Sequence, residues 1–155
     1  MKIRILYGTE TGNAEMLAED IEAHLAADHE VSCANLSDVA PGDLDPEPFY
    51  LVVSSTYGEG ELPASAQPFA AALEAARPDL SGLRFAVFGL GDSEYEETFN
   101  EGSGKLAQLL AGYGARQFGE RLTHDASGPD LPEDLALPWA EAVVALAEEM
   151  AGAPA

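Results

Sequence analysis

The chain has 155 residues, of which 46% are hydrophobic and 23% are charged. This length predicts a single globular domain over residues 1–150, followed by a short tail at 151–155. Seven Lys and Arg residues stand against 28 Asp and Glu residues, which gives a formal net charge of −21. Such a charge repels nucleic-acid backbones and anionic membrane surfaces, so neither is expected as a partner.

Two interpretations of this acidity stay open. One is docking to a basic protein partner, and the other is a solvated, salt-tolerant acidic surface. The single cysteine, Cys33, cannot form an internal disulfide, which favours a reducing compartment. The apolar runs are too short for a membrane span or a signal peptide. We therefore expect a cytoplasmic protein.

Apolar runs and helical patterns alternate in the first half of the chain. A strand is predicted at residues 2–7, followed by a helix from Thr11 to Ala27. A weaker strand follows at 30–36, and a nearly all-apolar strand at 49–54 marks the centre of a sheet. The first helix is supported by the helical spacing of Met16, Leu17, Ile21 and Leu25.

The second half continues the alternation. Ser65 is a candidate N-cap for a helix that ends near Ala76, and the next strand is predicted at 85–88. A helix ending near 112–114 and a last strand at 116–122 follow. The final helix is expected to begin near Pro138, with an inner face formed by Trp139, Val143, Leu146 and Met150. The pattern predicts an α/β fold, a doubly wound five-stranded parallel sheet with helices on both faces.

Ligands of such sheets bind beyond the carboxyl ends of the strands. The first loop there, residues 7–14 (YGTETGNA), meets a helix N-terminus, where backbone N–H groups and the helix dipole favour an anion. Thr9, Thr11 and Asn13 add donors, and Gly12 permits close approach of the backbone. Because no lysine follows, the loop suits the terminal phosphate of a mononucleotide and is not that of ATP or GTP enzymes. A simple capped helix start is the alternative.

Two further loops combine glycines with a tyrosine. Residues 54–63 (SSTYGEGELP) follow the central strand, and residues 89–95 (GLGDSEY) follow the next strand. Tyr57 and Tyr95 on neighbouring loops can sandwich a flat ring. Tyrosines that lie on surface turns without a role are the alternative interpretation.

Three ordered motifs resemble the flavodoxins and the FMN-binding modules of diflavin reductases, and the likeness covers nearly the whole chain. They are residues 9–15 (TETGNAE), 55–60 (STYGEG) and 88–95 (FGLGDSEY). Residues 130–134 (DLPED) together with Trp139 are similar to the short MioC-type flavodoxins. The resemblance implies a flavodoxin-like fold with FMN as its cofactor.

The resemblance also implies a set of binding residues. The first loop and Ser55 would hold the FMN phosphate, Tyr57 and Tyr95 would flank the isoalloxazine, and the Gly58 carbonyl would face flavin N5. Backbone groups around Gly91 would contact the pyrimidine edge. The full implied set is Thr9, Glu10, Thr11, Gly12, Asn13, Ala14, Ser55, Thr56, Tyr57, Gly58, Glu59, Gly60, Gly89, Leu90, Gly91, Asp92, Tyr95, Phe99, Asn100 and Asp125.

The sequence departs from the family pattern at two places. Ala14 stands where many flavodoxins have Thr or Ser, so one hydroxyl for the phosphate is missing. An additional residue among 96–98 leaves the register of Phe99 and Asn100 open.

The expected function is low-potential, one-electron transfer by a monomeric FMN protein that is not itself an enzyme. The resemblance suggests an NADPH-dependent flavoprotein reductase as donor and a metal-cluster or haem enzyme as acceptor, with a basic docking surface. Carboxylates on the ring loops would oppose the negative charge of reduced FMN and so lower its potential. These carboxylates belong to Glu59, Glu61 and Asp92.

No metal site is expected. The three histidines lack the spacing of metal ligands and are predicted to be surface groups, and Cys33 is predicted to be a small buried hydrophobe. The histidines are His24, His29 and His124.

Three other functions are alternatives to electron transfer. A phosphorelay receiver shares the architecture but needs acidic residues where this chain has Gly8, Thr9, Ser54 and Ser55. A small FMN-dependent quinone-type reductase needs a substrate pocket over the flavin, for which these short loops offer little material. A cofactor-free binding module is the third.

Overall fold

A computed structural model gives the architecture of residues 2–8, 13–40, 44, 48–55, 67–80, 82–91, 101–118, 122–125 and 132–152. Within these residues the strands are β1 (Lys2–Gly8), β2 (Glu30–Asn35), β3 (Phe49–Ser55), β4 (Arg84–Gly91), β5 (Arg116–Gln117) and β6 (Leu122–Asp125). The helices are α1 (Asn13–Leu25), α2 (Gln67–Ala76), α3 (Glu101–Gly112) and α4 (Pro132–Gly152). A 3-10 turn covers Leu36–Asp38.

The strands form one parallel sheet in the order β2-β1-β3-β4, and both β5 and β6 pair with the outer edge of β4. The sheet therefore has five strand positions, which confirms the predicted fold class. The single last strand predicted at 116–122 is wrong in detail. Arg84 of β4 pairs with Arg116, whereas Phe88 pairs with Leu122, so the register shifts by two residues between the segments. An even shift keeps each side chain on its own face of the sheet.

Two hydrophobic cores cover the two faces of this sheet. Side chains alternate along each strand, so Ile5, Val53 and Phe88 face the core beneath α1 and α4. Leu6 and Val52 face the second core, which includes residues of α2 and α3. β3 is buried throughout Phe49–Ser54, as expected for the central strand of a parallel sheet covered on both sides.

The buried face of α1 differs from the predicted one at a single position. Leu17, Ile21 and Leu25 are buried as expected, but Met16 is 65% exposed. The helical neighbours three and four residues after Met16 are Glu19 and Asp20, which are also exposed. Met16 therefore belongs to the polar side of α1. The small residues Ala14 and Ala18 complete the buried side.

α2 ends at Ala76 as predicted, whereas the start of α4 differs from expectation. Ser65 lies outside the described residues, and Arg77 ends α2 in a left-handed conformation with φ 46°. α4 begins at Pro132 and not near Pro138, so the earlier proline is the one at the helix start. Pro138 lies within the helix on its exposed side, where the ring is accommodated.

α4 packs through part of the predicted apolar line together with several small residues. Trp139 and Val143 are buried as predicted, but Leu146 is 37% exposed. The side chain of Met150 lies outside the described part of the chain, as does the tail beyond Gly152. Small side chains bring the α4 backbone close to α1 and the sheet. The remaining buried positions of the helix are Ala136, Ala140, Val144 and Ala147.

We expect Ile21→Ala to lower the free energy of unfolding by about 2 to 5 kcal/mol, because Ile21 is fully buried on the inner face of α1. The matched change Met16→Ala on the same helix should alter it by less than about 0.5 kcal/mol. Urea unfolding monitored by circular dichroism measures both. Equal losses in the two variants would contradict the assignment of the buried face.

Candidate functional site

The three central strands carry a row of small residues near the carboxyl edge of the sheet. Gly8 of β1 pairs with Ser54 of β3, which pairs with Gly89 of β4, which pairs with Thr123 of β6. Gly8 and Gly89 are buried, and Ser54 is 0% exposed. Side chains are therefore small or absent along this row of the sheet. The preceding row is large and apolar, and consists of Tyr7, Val53, Phe88 and Leu122.

The N-terminus of α1 lies at this same edge. α1 begins at Asn13, five residues after β1 ends at Gly8, and Ala14 is fully buried at its start. The first N–H groups of a helix lack intrahelical partners, and the helix dipole places partial positive charge there. The local sequence 9–14 contains no lysine or arginine, so an anion bound here would be held by neutral donors.

One hydrogen bond links the two ends of this first loop. The Tyr7 hydroxyl donates to Oε1 of Glu15 over 3.4 Å, and Glu15 lies in the first turn of α1. Burial raises the pKa of Tyr7 above its ordinary value, and the nearby Glu15 carboxylate raises it further. The hydroxyl therefore stays protonated, and able to donate, throughout the neutral range.

Seven of the predicted site residues lie in described strands and helices, and all seven lie at the carboxyl edge. Ser55 is the Cα partner of Leu90, and Gly91 is the Cα partner of Asp125. The seven are Asn13, Ala14, Ser55, Gly89, Leu90, Gly91 and Asp125. The other predicted site residues lie outside the described residues: Thr9, Glu10, Thr11, Gly12, Thr56, Tyr57, Gly58, Glu59, Gly60, Asp92, Tyr95, Phe99 and Asn100.

The row also contains Gly8, Ser54 and Thr123, which were not among the predicted binding residues. A sequence signal for two of them exists, since Gly8 and Ser54 are the first small residues after two apolar runs. Thr123 could not be found this way, because its place beside Gly89 depends on the shifted register of β6.

The lysine and arginine side chains that the structure describes lie towards the opposite edge. Five lysine and arginine side chains are described, and all five lie at or near the amino ends of strands. Lys2 and Arg4 are in the first half of β1, Arg84 and Arg116 begin β4 and β5, and Arg77 follows α2 on the way to β4. These five side chains thus lie away from the carboxyl edge, and the side chains of Lys105 and Arg121 are outside the described residues.

Two histidines, His24 in α1 and His29 after it, contact α4, and they do not form a metal site in the part of the chain that is described. His24 Nε2 lies 2.7 Å from Oε1 of Glu141, and His29 Nε2 lies 3.5 Å from Oε1 of Glu148. Groups of three or more metal-ligating side chains do not occur among the described residues. The surface prediction fits His24 but is wrong for His29, whose side chain is only 14% exposed.

Cys33 is half-buried on β2 and unsuited to nucleophilic chemistry. Its Sγ donates to the carbonyl of Ala18 over 3.4 Å. Burial, followed by the charge of Glu22, raises the pKa of the Cys33 thiol to about 12. The thiolate, which is the reactive form, is therefore scarce at neutral pH.

Among the described helices, none is both long and apolar enough to cross a membrane.

Comparisons with known proteins give the family of this chain. The family model for flavodoxin matches residues 5–139. Protein MioC of Escherichia coli strain K12 is 38% identical over 140 residues, which cover 88% of this chain and 92% of that protein.

A larger protein and a solved structure are also similar. The sulfite reductase [NADPH] flavoprotein alpha-component of Bacillus subtilis is 35% identical and aligns with 99% of this chain, but with only 25% of its own length. The structure of a mutant flavodoxin from Pseudomonas aeruginosa is 36% identical with a TM-score of 0.81, covering 94% of this chain and 97% of its own.

We expect Cys33 in the folded protein to react with a thiol-specific disulfide reagent at pH 8 at least about a hundredfold more slowly than in the urea-unfolded chain. The rate should keep rising with pH towards the raised pKa of about 12. Glu22→Gln should accelerate the reaction by removing a charge that disfavours the thiolate, whereas Asp20→Asn on the exposed side of α1 should not. Equal rates in folded and unfolded protein would refute the assignment.

Proposed function

The chain belongs to the flavodoxin family, and on that premise we propose that it binds FMN and carries single electrons between a flavoprotein reductase and an acceptor enzyme. Family membership supports the FMN-binding, electron-transfer role. The observation that carries the proposal for this chain is the meeting of the row Gly8, Ser54 and Gly89 with the N-terminus of α1 at one edge of the sheet. That combination offers space for a flat ring beside donors for a phosphate.

The phosphate end of FMN fits the start of α1. In this proposal residues 9–14, helped by Ser55, hold the phosphate through backbone N–H groups and hydroxyls. The buried Ala14 lets the first turn of α1 lie close against the sheet, so its N–H groups face the edge where the strands end. Because residues 9–14 contain no lysine or arginine, these neutral donors would bind the phosphate by hydrogen bonds and leave part of its charge unneutralised.

The ring end of FMN fits the loops after β3 and β4. We propose that Tyr57 and Tyr95 flank the isoalloxazine, with residues 56, 58 and 92 and their neighbours around its edges. β3 and β4 end at Ser55 and Gly91, close to the small residues Ser54 and Gly89, and this small size would let a ring approach the strand ends. Offset stacking on each tyrosine contributes on the order of 1 kcal/mol beyond burial. Bound FMN supplies the redox chemistry, and the protein supplies orientation and electrostatics.

Charge around the ring favours a low potential for the fully reduced cofactor. Glu59, Glu61 and Asp92 are on the two ring loops, so their carboxylates oppose the extra negative charge of reduced FMN. The described cations lie at the far edge of the sheet and offset little of that effect. Reduction is therefore disfavoured by charge repulsion, which lowers the potential.

The same charge distribution suits a basic partner. Electron donors are suggested by the similar NADPH-linked flavoproteins, of which this chain matches one part. We propose a flavoprotein reductase as donor and a metal-cluster or haem enzyme as acceptor. The chain would act as a monomer in a reducing compartment such as the cytoplasm, which its single cysteine favours.

The function is tested by cofactor content and reductive titration. Purified protein should be yellow and release FMN on denaturation, and titration followed by visible absorption should show two separated one-electron steps. A colourless protein that rejects added FMN would defeat the proposal. Saturable turnover of a quinone by the reduced protein would instead favour a small quinone-type reductase.

Electron transfer to a partner should depend strongly on salt. We expect the rate constant with a basic haem protein to fall roughly tenfold or more between about 0.01 M and about 0.5 M ionic strength, because salt screens the steering field. A neutral acceptor serves as the control and should show little change. If the rate with the basic acceptor did not change with salt while the unfolding temperature rose with salt, the acidity would instead be explained by a solvated, salt-tolerant surface.

A further inference from the structure

Tyr7 and Glu15 close a bridge across the loop that joins β1 to α1. Tyr7 is the residue before the last in β1, and Glu15 is the third residue of α1. Their side chains meet through the 3.4 Å hydrogen bond in a partly buried setting. The bridge therefore ties the end of β1 to the first turn of α1, where the proposed function places the FMN phosphate.

Glu15 occupies a position that can compete with a phosphate. A glutamate at the third position of a helix can turn back and accept hydrogen bonds from the backbone N–H groups at the helix start, and the helix dipole favours its charge there. Those N–H groups are the ones that a bound phosphate needs. A carboxylate free to turn back would occupy them, and its charge would repel the phosphate.

We propose that Tyr7 is a positioning residue for the phosphate site, whose hydroxyl holds the Glu15 carboxylate towards β1 and leaves the first N–H groups of α1 available to the phosphate. This inference rests on the proposed function and deepens it. Tyr7 is distinct from the tyrosines proposed to stack on the ring, because it faces the core beneath α1 and α4. It acts on the phosphate only through Glu15.

The surroundings of Tyr7 keep the donor in place. Its ring packs against the core on the α1 side, so the side chain has little freedom to turn away. The other ionisable groups that face it are Glu19 on α1 and Cys33 on β2, and both raise its pKa together with burial and Glu15. The hydroxyl thus stays a neutral donor at the pH where FMN phosphate is dianionic.

The test is the affinity of the apoprotein for FMN and for riboflavin, which lacks the phosphate, measured by quenching of flavin fluorescence. Tyr7→Phe keeps the ring and removes only the hydroxyl. It should weaken FMN binding about three- to tenfold, which is the range expected for one hydrogen bond. Riboflavin binding should change by less than about twofold, because no phosphate is involved. If Tyr7 had only a structural role, its substitution would weaken the binding of FMN and of riboflavin by the same factor.

A double-mutant cycle isolates the pair. In a Glu15→Ala background the competing carboxylate is gone, so adding Tyr7→Phe should leave FMN affinity unchanged. Tyr113→Phe is the matched control on the other side of the sheet and should bind both flavins as the wild type does. Three results would overturn the proposal: Tyr7→Phe binds FMN as tightly as the wild type, it loses affinity for FMN and riboflavin equally, or it loses the same FMN affinity in the Glu15→Ala background. Failure of the wild type to bind either flavin would refute the proposed function itself.

Discussion

The parallel pairing of β1, β3 and β4 is the constraint on which the rest of this molecule depends. Parallel strands must all be entered from one edge and left at the other, so every loop that follows a strand emerges on the same side. The register places Gly8, Ser54 and Gly89 side by side, and this brings together segments that are far apart in the chain. A slip of one residue in either pairing would exchange the apolar row for the small one and fill the space at the edge.

The same constraint sorts the charges and the helix ends. Because α1 follows β1 directly, its positive N-terminal pole lies at the carboxyl edge, while Arg84 and Arg116 begin strands at the opposite edge. Backbone dipoles and side-chain charges therefore have different roles in this protein. Neutral N–H donors serve the proposed anion site, and the described cations stay away from the surface where the proposed partner approaches.

The fold could be predicted from the sequence because its signals are local and redundant. Each strand of the sheet centre is an apolar run such as residues 49–54, and each is followed by a helical pattern. Errors arose where one residue type was given more weight than its neighbours. Met16 is apolar, but Glu19 and Asp20 share its side of α1, and the last helix starts at Pro132 and not at the later Pro138.

The position of the candidate site could be predicted where its residues directly follow or end a predicted strand. The motif residues in described elements, such as Ser55 and Gly91, lie at the expected edge. The shifted register that brings Thr123 beside Gly89 could not be predicted, because it depends on how two distant segments pair with the same strand. The bridge between β1 and α1 was likewise missed, since its tyrosine and its glutamate each have an ordinary structural explanation in a strand or a first helical turn.

The contact between Trp139 and Phe88 places the intrinsic fluorescence signal of the protein on one side of the sheet. The chain has one tryptophan, and its ring centroid lies 5.4 Å from that of Phe88. Its emission therefore reports on the docking of α4 against β4, while the packing of α2 and α3 on the opposite face is silent. Since Phe88 directly precedes Gly89 in the small row, a flavin seated at that edge would also accept excitation energy from the indole. Intrinsic fluorescence can thus follow cofactor loading and the opening of one face of the sheet without any added label.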